Sequence, residues 1–287
     1  MFIPLNDTNA LKHIRLQYVT IAIIALNCVI WLVMGTPAFF SQDTVLAANY
    51  SYGFVPAVVN GYQDLPTNLE RIPETFTYVS YSFLHADFMH LAGNMLFIWV
   101  FGDNVEDAMG HLKFLFFYLA CAAIGALGHS LIDPRSAAPL IGASGAAAGI
   151  IGAYILLHPR VKVWVLALGR IPLKVPAVFV LGAWIAFQFY SLIADSESQV
   201  SWVTHVFGIL AGMVLVVFLR RPGVALFDRD LKVVVKTPET LKEVVGAIPP
   251  TSGTGAGITR SSGVKSGSVP STGTKKKIRW GRDDNSQ

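Results

Sequence analysis

The stretch "PLIGASGAAAGIIGAYILLHP", residues Pro139–Pro159, decides the fold. Between its end prolines and terminal histidine it carries no charge, and its only hydroxyls are Ser144 and Tyr154. Small and branched apolar residues cover every face, which is the pattern of a helix buried in a membrane bundle rather than one facing water on one side. Gly145 and Gly149 lie four apart and form a face on which another helix backbone approaches closely. Ser144 sits at the start, wedged between glycines. A serine on a small-residue face is ordinarily a packing residue, so its meaning depends on the rest of the chain.

Composition extends the membrane reading. Of 287 residues, 53% are hydrophobic and 14% charged, against roughly a quarter charged in ordinary soluble domains. The mean hydropathy is +0.52. A spanning helix needs about 20 mostly apolar residues, fewer where the bundle shields polar ones. Six stretches meet that description: Tyr18–Gly35, Met89–Val105, Leu112–Ile132, Ser144–Leu157, Val175–Ala194 and Trp202–Leu219. The second and fourth are short or polar and are expected inside the bundle. Thr36–Phe88, with its prolines, tyrosines and charges, reads as a structured loop. The fold class expected is therefore all-α, a polytopic bundle of six transmembrane helices.

The basic residues assign an orientation. With a cytoplasmic N-terminus, one side collects Lys12, Arg15, Lys113, Arg160, Lys162, Arg170, Lys174, Arg220 and Arg221. The other collects Arg71 and Arg135. That bias predicts both termini on the cytoplasmic side of the membrane. The start of the chain has no basic region followed by a cleavage site, so the first apolar run is expected to stay as an anchor. The net charge of +4 follows this sidedness and does not point to nucleic acid. Cys28 and Cys121 both lie in apolar runs, which argues against a disulfide framework.

From residue 248 onward Gly, Ser, Thr and Pro dominate, a composition that cannot bury a core. The expected division is residues 1–17 as an N-terminal cytoplasmic segment and 18–221 as the membrane domain. Residues 222–248 form a short cytoplasmic extension and 249–287 a disordered basic tail. The cluster Lys275–Arg282 in that tail suits either contact with anionic lipid headgroups or a solvated tail.

Polar groups in hydrocarbon are costly, so each needs a reason. Ser144 opens the fourth span and His205 lies one turn into the sixth, both entering from the outer side. His90 and Asn94 stand at the outer start of the second, at i and i+4 on one helix face. Topology alone brings these four to one depth, which points to a shared site. Gly208 and Gly212 on the sixth span match the Gly145/Gly149 face. If these faces meet, Ser144 and His205 come within side-chain reach. His85 is read as structural support. A metal set of His85, His90 and His205 lacks the spacing and the carboxylate or cysteine partner such sites use, so no metal and no cofactor is expected.

The motifs "HADFMHLAGN" (His85–Asn94), "GASG" (Gly142–Gly145) and "HVFGILAG" (His205–Gly212), in this order, resemble the rhomboid family of intramembrane serine proteases. The segment "FGDNVEDAMGHLKFL" (Phe101–Leu115) is similar to the link between the second and third spans of bacterial members. The resemblance covers about residues 18–221. It implies Ser144 as nucleophile and His205 as general base, with His90, Asn94 and the Ser144 backbone N–H binding the oxyanion. Gly142, Gly145, Gly208 and Gly212 belong to the same motifs. It implies lateral entry of single-span membrane substrates beside the fifth span, where Phe179, Phe187 and Phe189 could form a movable wall, although such residues are more often plain lipid-facing bulk. No carboxylate stands near His205, so a dyad rather than a triad is implied. Ala148 stands where many members carry an aromatic that stacks on the histidine, and Tyr154 lies deeper, so what orients His205 stays open. Phe76-Thr77 replaces a Trp-Arg pair. Two rivals remain: a non-cleaving relative that binds membrane clients, and a transporter with a polar midplane site, which would place its polar residues deeper.

Overall fold

A computed structural model describes residues 2–35, 40–167, 169–194 and 201–227. The expected tail at 249–287, and most of the 222–248 extension, lie outside these residues. Each apolar stretch overlaps a helix. They are α1 (Tyr18–Ile30), continued by a π-helical turn at Trp31–Gly35, then, beyond the loop helices α2 to α4, α5 (Phe88–Met109), α6 (His111–Ile132), α7 (Ser144–Leu157), α8 (Ala177–Ala194) and α9 (Trp202–Leu219). Among the described residues α6, α8 and α9 are long and apolar enough to cross a membrane, and Tyr18–Met34 and α7 are shorter apolar helices. Within the loop, α2 is Gln42–Tyr52, α3 Pro56–Val59 and α4 Glu74–Ser80.

Helix ends follow local chemistry. Asp87 caps α5 by accepting the His90 N–H at 2.8 Å. Ser201 caps α9 by accepting the Thr204 N–H at 3.3 Å. Such side chains satisfy amides that the first helical turn leaves open. Gly110 ends α5 at φ +87°, a conformation that glycine reaches without a Cβ penalty, and α6 starts at the next residue.

The expectation of an all-α chain is corrected by a three-stranded antiparallel sheet. It comprises β1 (Phe2–Asp7), β2 (Lys162–Ala167) and β3 (Ile171–Pro176), in the order β1-β2-β3. Phe2 pairs with Ala167 and Asp7 with Val163, with an irregularity between Pro4 and Asn6. Lys162, Val163, Trp164 and Val165 alternate exposed and buried, and a search for long apolar runs does not register a period of two. The fifth helix accordingly starts at Ala177, because Val175 belongs to β3. The fold is mostly helical, with this small sheet.

The centre is α7, buried continuously from Gly145 to Tyr154. It packs on α9, α6 and α5. The outermost helix is α8, which exposes Phe179, Phe187, Tyr190 and Ile193 and buries Ala177, Val180, Leu181, Gln188 and Ser191.

At the end of α5 remote from the Ser144 level, acids take over the work of a cap. Glu106 is 0% exposed and accepts the Val19 and Thr20 N–H groups at 3.0 and 2.8 Å. It also takes the Thr20 hydroxyl at 2.6 Å and pairs with His111 Nδ1 at 2.5 Å. Gln17, at the N-cap of α1, gives no side-chain cap, so a carboxylate from another helix supplies it. Asp107 next door accepts the N–H groups of Lys12, His13 and Ile14. Replacing Glu106 with alanine leaves buried donors without an acceptor and is expected to cost about 3 kcal/mol. That is roughly 6–12 °C in Tm for a domain of this size. Thermal unfolding in detergent reads it, and an unchanged Tm would refute the capping account.

Candidate active site

The turn before α7 carries the site. Gly142 has φ +118° and donates its N–H to the Tyr81 carbonyl at 3.0 Å. The same turn is pinned from the loop by Phe54 and Leu140, which exchange backbone hydrogen bonds at 3.1 and 2.8 Å. A methyl group on Gly142 would lie 2.6 Å from His90 Nε2 and 3.7 Å from Asn94 Nδ2. Only glycine permits both that φ and that approach. Ala143 is the N-cap and Ser144 the first residue of α7. The first intrahelical bond is donated by Ala147 to Ala143, so the amides of Ser144, Gly145 and Ala146 precede it and constitute the electropositive helix end.

His85 and Asn94 support this turn from below. Asn94 Nδ2 donates to His85 Nε2 at 3.0 Å, and the Ala143 N–H donates to the same nitrogen at 3.4 Å. An Nε2 that accepts must carry its ring proton on Nδ1. The rings of His85 and His90 meet edge-on at 5.1 Å. His85 is 2% exposed and precedes α5. Burial, and then the neighbouring His90, push its imidazole down to about 3.

The sign of the pH effect follows. An unfolded histidine titrates near about 6.5. Below that pH the unfolded chain takes up a proton that folded His85 refuses. The stability attached to this ring is full above about pH 6.5 and declines as pH falls toward 3, by up to about 1.4 kcal/mol per pH unit. Thermal stability is therefore expected to fall less between pH 6.5 and 4.5 in His85→Gln than in wild type. Parallel stability curves for the two proteins would reject the assignment.

The glycine faces of α7 and α9 meet. A methyl group on Gly208 would collide with the Gly145 carbonyl oxygen, and one on Gly212 with that of Gly149. Thr204 Cγ2 would lie 2.8 Å from a methyl on Gly145. The turn carrying Thr204 and His205 therefore stands level with Ser144 and Gly145. Among the described hydrogen bonds none joins Ser144 to His205. Catalytic hydrogen bonds are commonly long before substrate binds.

Gln188 of α8 lies against His205, with its Oε1 2.8 Å from His205 Nδ1. Trp184 stacks over the ring at 6.3 Å and 28°, and Trp202 meets it edge-on at 5.8 Å. Gln188 escaped the sequence reading. The signal was there: it is the one amide in "AVFVLGAWIAFQFYSLIA", and a polar side chain inside a span calls for a partner. Trp184, four residues earlier, shares its helix face.

Comparison with known proteins gives the family. A model of the rhomboid domain matches residues 73–222, more than half of the chain. YdcA, a rhomboid protein of Bacillus subtilis (strain 168), is 27% identical over 226 residues, covering 75% of this chain and 94% of its own length. Rhomboid-like protein 11 of Arabidopsis thaliana, a chloroplastic protein, is 30% identical over 56% of this chain and 59% of its own length. Rhomboid protease GlpG of Yersinia pseudotuberculosis is 25% identical over 52% of this chain and half of its own length. This protein is a membrane protein that belongs to the rhomboid family.

Proposed function

We propose that this protein is an intramembrane serine endopeptidase that works through a Ser144–His205 dyad. The observation that carries the reading is the convergence at the start of α7. His90 and Asn94 press on Gly142, the Ser144 amide opens the helix, and His205 arrives on the α9 turn packed against Gly145.

Each residue then has a task. A serine hydroxyl is a weak nucleophile until a base takes its proton. His205 Nε2 takes it as Ser144 Oγ bonds to the scissile carbonyl carbon. The carbonyl oxygen becomes an oxyanion, met by the Ser144 N–H, the Asn94 amide and the His90 ring. Such donors stabilise charge most in a water-poor site. Collapse of the intermediate breaks the C–N bond, and the leaving amine takes the proton from His205. Water then hydrolyses the acyl ester by the same steps in reverse roles. His85 holds Asn94 in place, and Gly145, Gly149, Gly208 and Gly212 let α7 and α9 approach.

The substrate is a single-span membrane protein with helix-breaking residues near its outer membrane end. A regular helix shields its amides, so the segment must unwind to reach Ser144. The chain crosses the plasma (inner) membrane six times with both termini cytoplasmic, as the basic residues indicate. No cofactor takes part. The test is cleavage of a reconstituted single-span reporter by wild type and by Ser144→Ala. Cleavage by both proteins, or by neither, would count against the reading.

A further inference from the structure

We infer that Gln188 is a positioning residue: its side-chain amide holds His205 in the tautomer that can act as a base. This rests on the protease reading above. The geometry that carries it is a two-bond relay.

Gln188 is 2% exposed in α8, and both ends of its amide are engaged. Nε2 donates to the Trp184 carbonyl at 3.2 Å, and Oε1 faces His205 Nδ1 at 2.8 Å. The Trp184 carbonyl can only accept. Turning the amide over would set two acceptors against each other there, so the NH2 group belongs at Trp184 and the oxygen at His205. An amide oxygen also only accepts. His205 must therefore carry its proton on Nδ1, which leaves the Nε2 lone pair for the Ser144 hydroxyl. An orienting group that donated to Nδ1 instead would place the proton on Nε2 and disable the base, a fault known to be severe in serine proteases. The Trp184 and Trp202 rings confine the imidazole on two sides, so the amide sets its rotation as well as its tautomer. Ala148 gives His205 no aromatic platform from α7, and α8 supplies the support instead.

Unlike a carboxylate, Gln188 is neutral and adds no charge to stabilise the imidazolium. Among the described residues, the titratable neighbours of His205 are His90 on α5 and, through Ser201 at the start of α9, His129 on α6. Both are present in every variant below, so a difference between variants belongs to position 188.

The test compares Gln188→Leu and Gln188→Glu with wild type, using reporter cleavage over pH 5–9. Gln188→Leu is expected to lower kcat about 10–10²-fold, part of the roughly 10²–10⁴ that a placed base contributes, with KM little changed. Gln188→Glu is expected to recover most of kcat and to move the acid limb of the profile upward by about one pH unit, because a carboxylate favours imidazolium. Leucine at wild-type kcat, or glutamate as slow as leucine with an unmoved limb, would overturn the assignment. A wild type that does not cleave at all would sink the protease reading rather than the relay. The relay is then read by ¹⁵N histidine NMR in Ser144→Ala protein. An Nδ1-protonated His205 that is lost in Gln188→Leu upholds it, and the same tautomer with and without Gln188 overturns it.

Discussion

Ser144→Ala is expected to reduce cleavage of a single-span reporter by at least about 10⁴-fold while leaving the protein folded. The loss is large because the hydroxyl is the bond-forming atom, and what survives its removal is only the binding and oxyanion contribution. Stability should hold because Ala143, not Ser144, is the N-cap of α7, and the Ser144 hydroxyl supplies no cap bond. Alanine also has the highest intrinsic helix propensity. The measurement is single-turnover cleavage in vesicles, with Tm measured on the same samples. Residual cleavage within tenfold of wild type would mean another nucleophile. A collapse in Tm would mean that Ser144 is a packing residue after all.

The largest stability effect is expected at Gly212. A single methyl group there runs into the Gly149 carbonyl, and the neighbour is helix backbone, which cannot swing aside. Gly212→Ala must push α9 off α7 and is expected to cost about 3 kcal/mol or more. Activity should fall with it, since Ser144 and His205 ride on the two separated helices. Gly182→Ala is the contrast. That glycine lies within α8 and has nothing within 4 Å of a new methyl group, so the change is expected to be neutral or to stabilise by up to about 1 kcal/mol through helix propensity. Thermal unfolding of the two variants side by side settles it. Equal Tm values would show that the α7–α9 contact is looser than the geometry implies.

Much of the helical plan was legible in the chain. The bounds of α7 and α9 follow from where apolar runs begin and end, whereas α5 runs from the cap at Asp87 to the stop at Gly110, past the end expected at Val105. The sheet was not legible by the same means. Its strands are six residues each and sit among charges, too short to register as apolar runs. The acids Glu106 and Asp107 stand at the end of an apolar run in the sequence. Their actual partners are backbone amides about 90 residues earlier, which no local pattern announces.

The candidate site divides in the same way. Spacing placed His90 and Asn94 on one helix face, and matching glycine pairs marked α7 and α9 as surfaces for close approach. These are local properties, set by the 3.6-residue turn and by hydropathy. Which atom meets which was decided by packing across helices. Asn94 finds His85, and Gln188 finds His205 across the α8–α9 boundary. The sequence by itself determined a family and a set of helices, and it set the expectation that four polar residues share one depth. The tertiary structure alone decided what holds His205, because a hydrogen bond between two helices depends on their rotation and separation, and those emerge only when every face is packed at once.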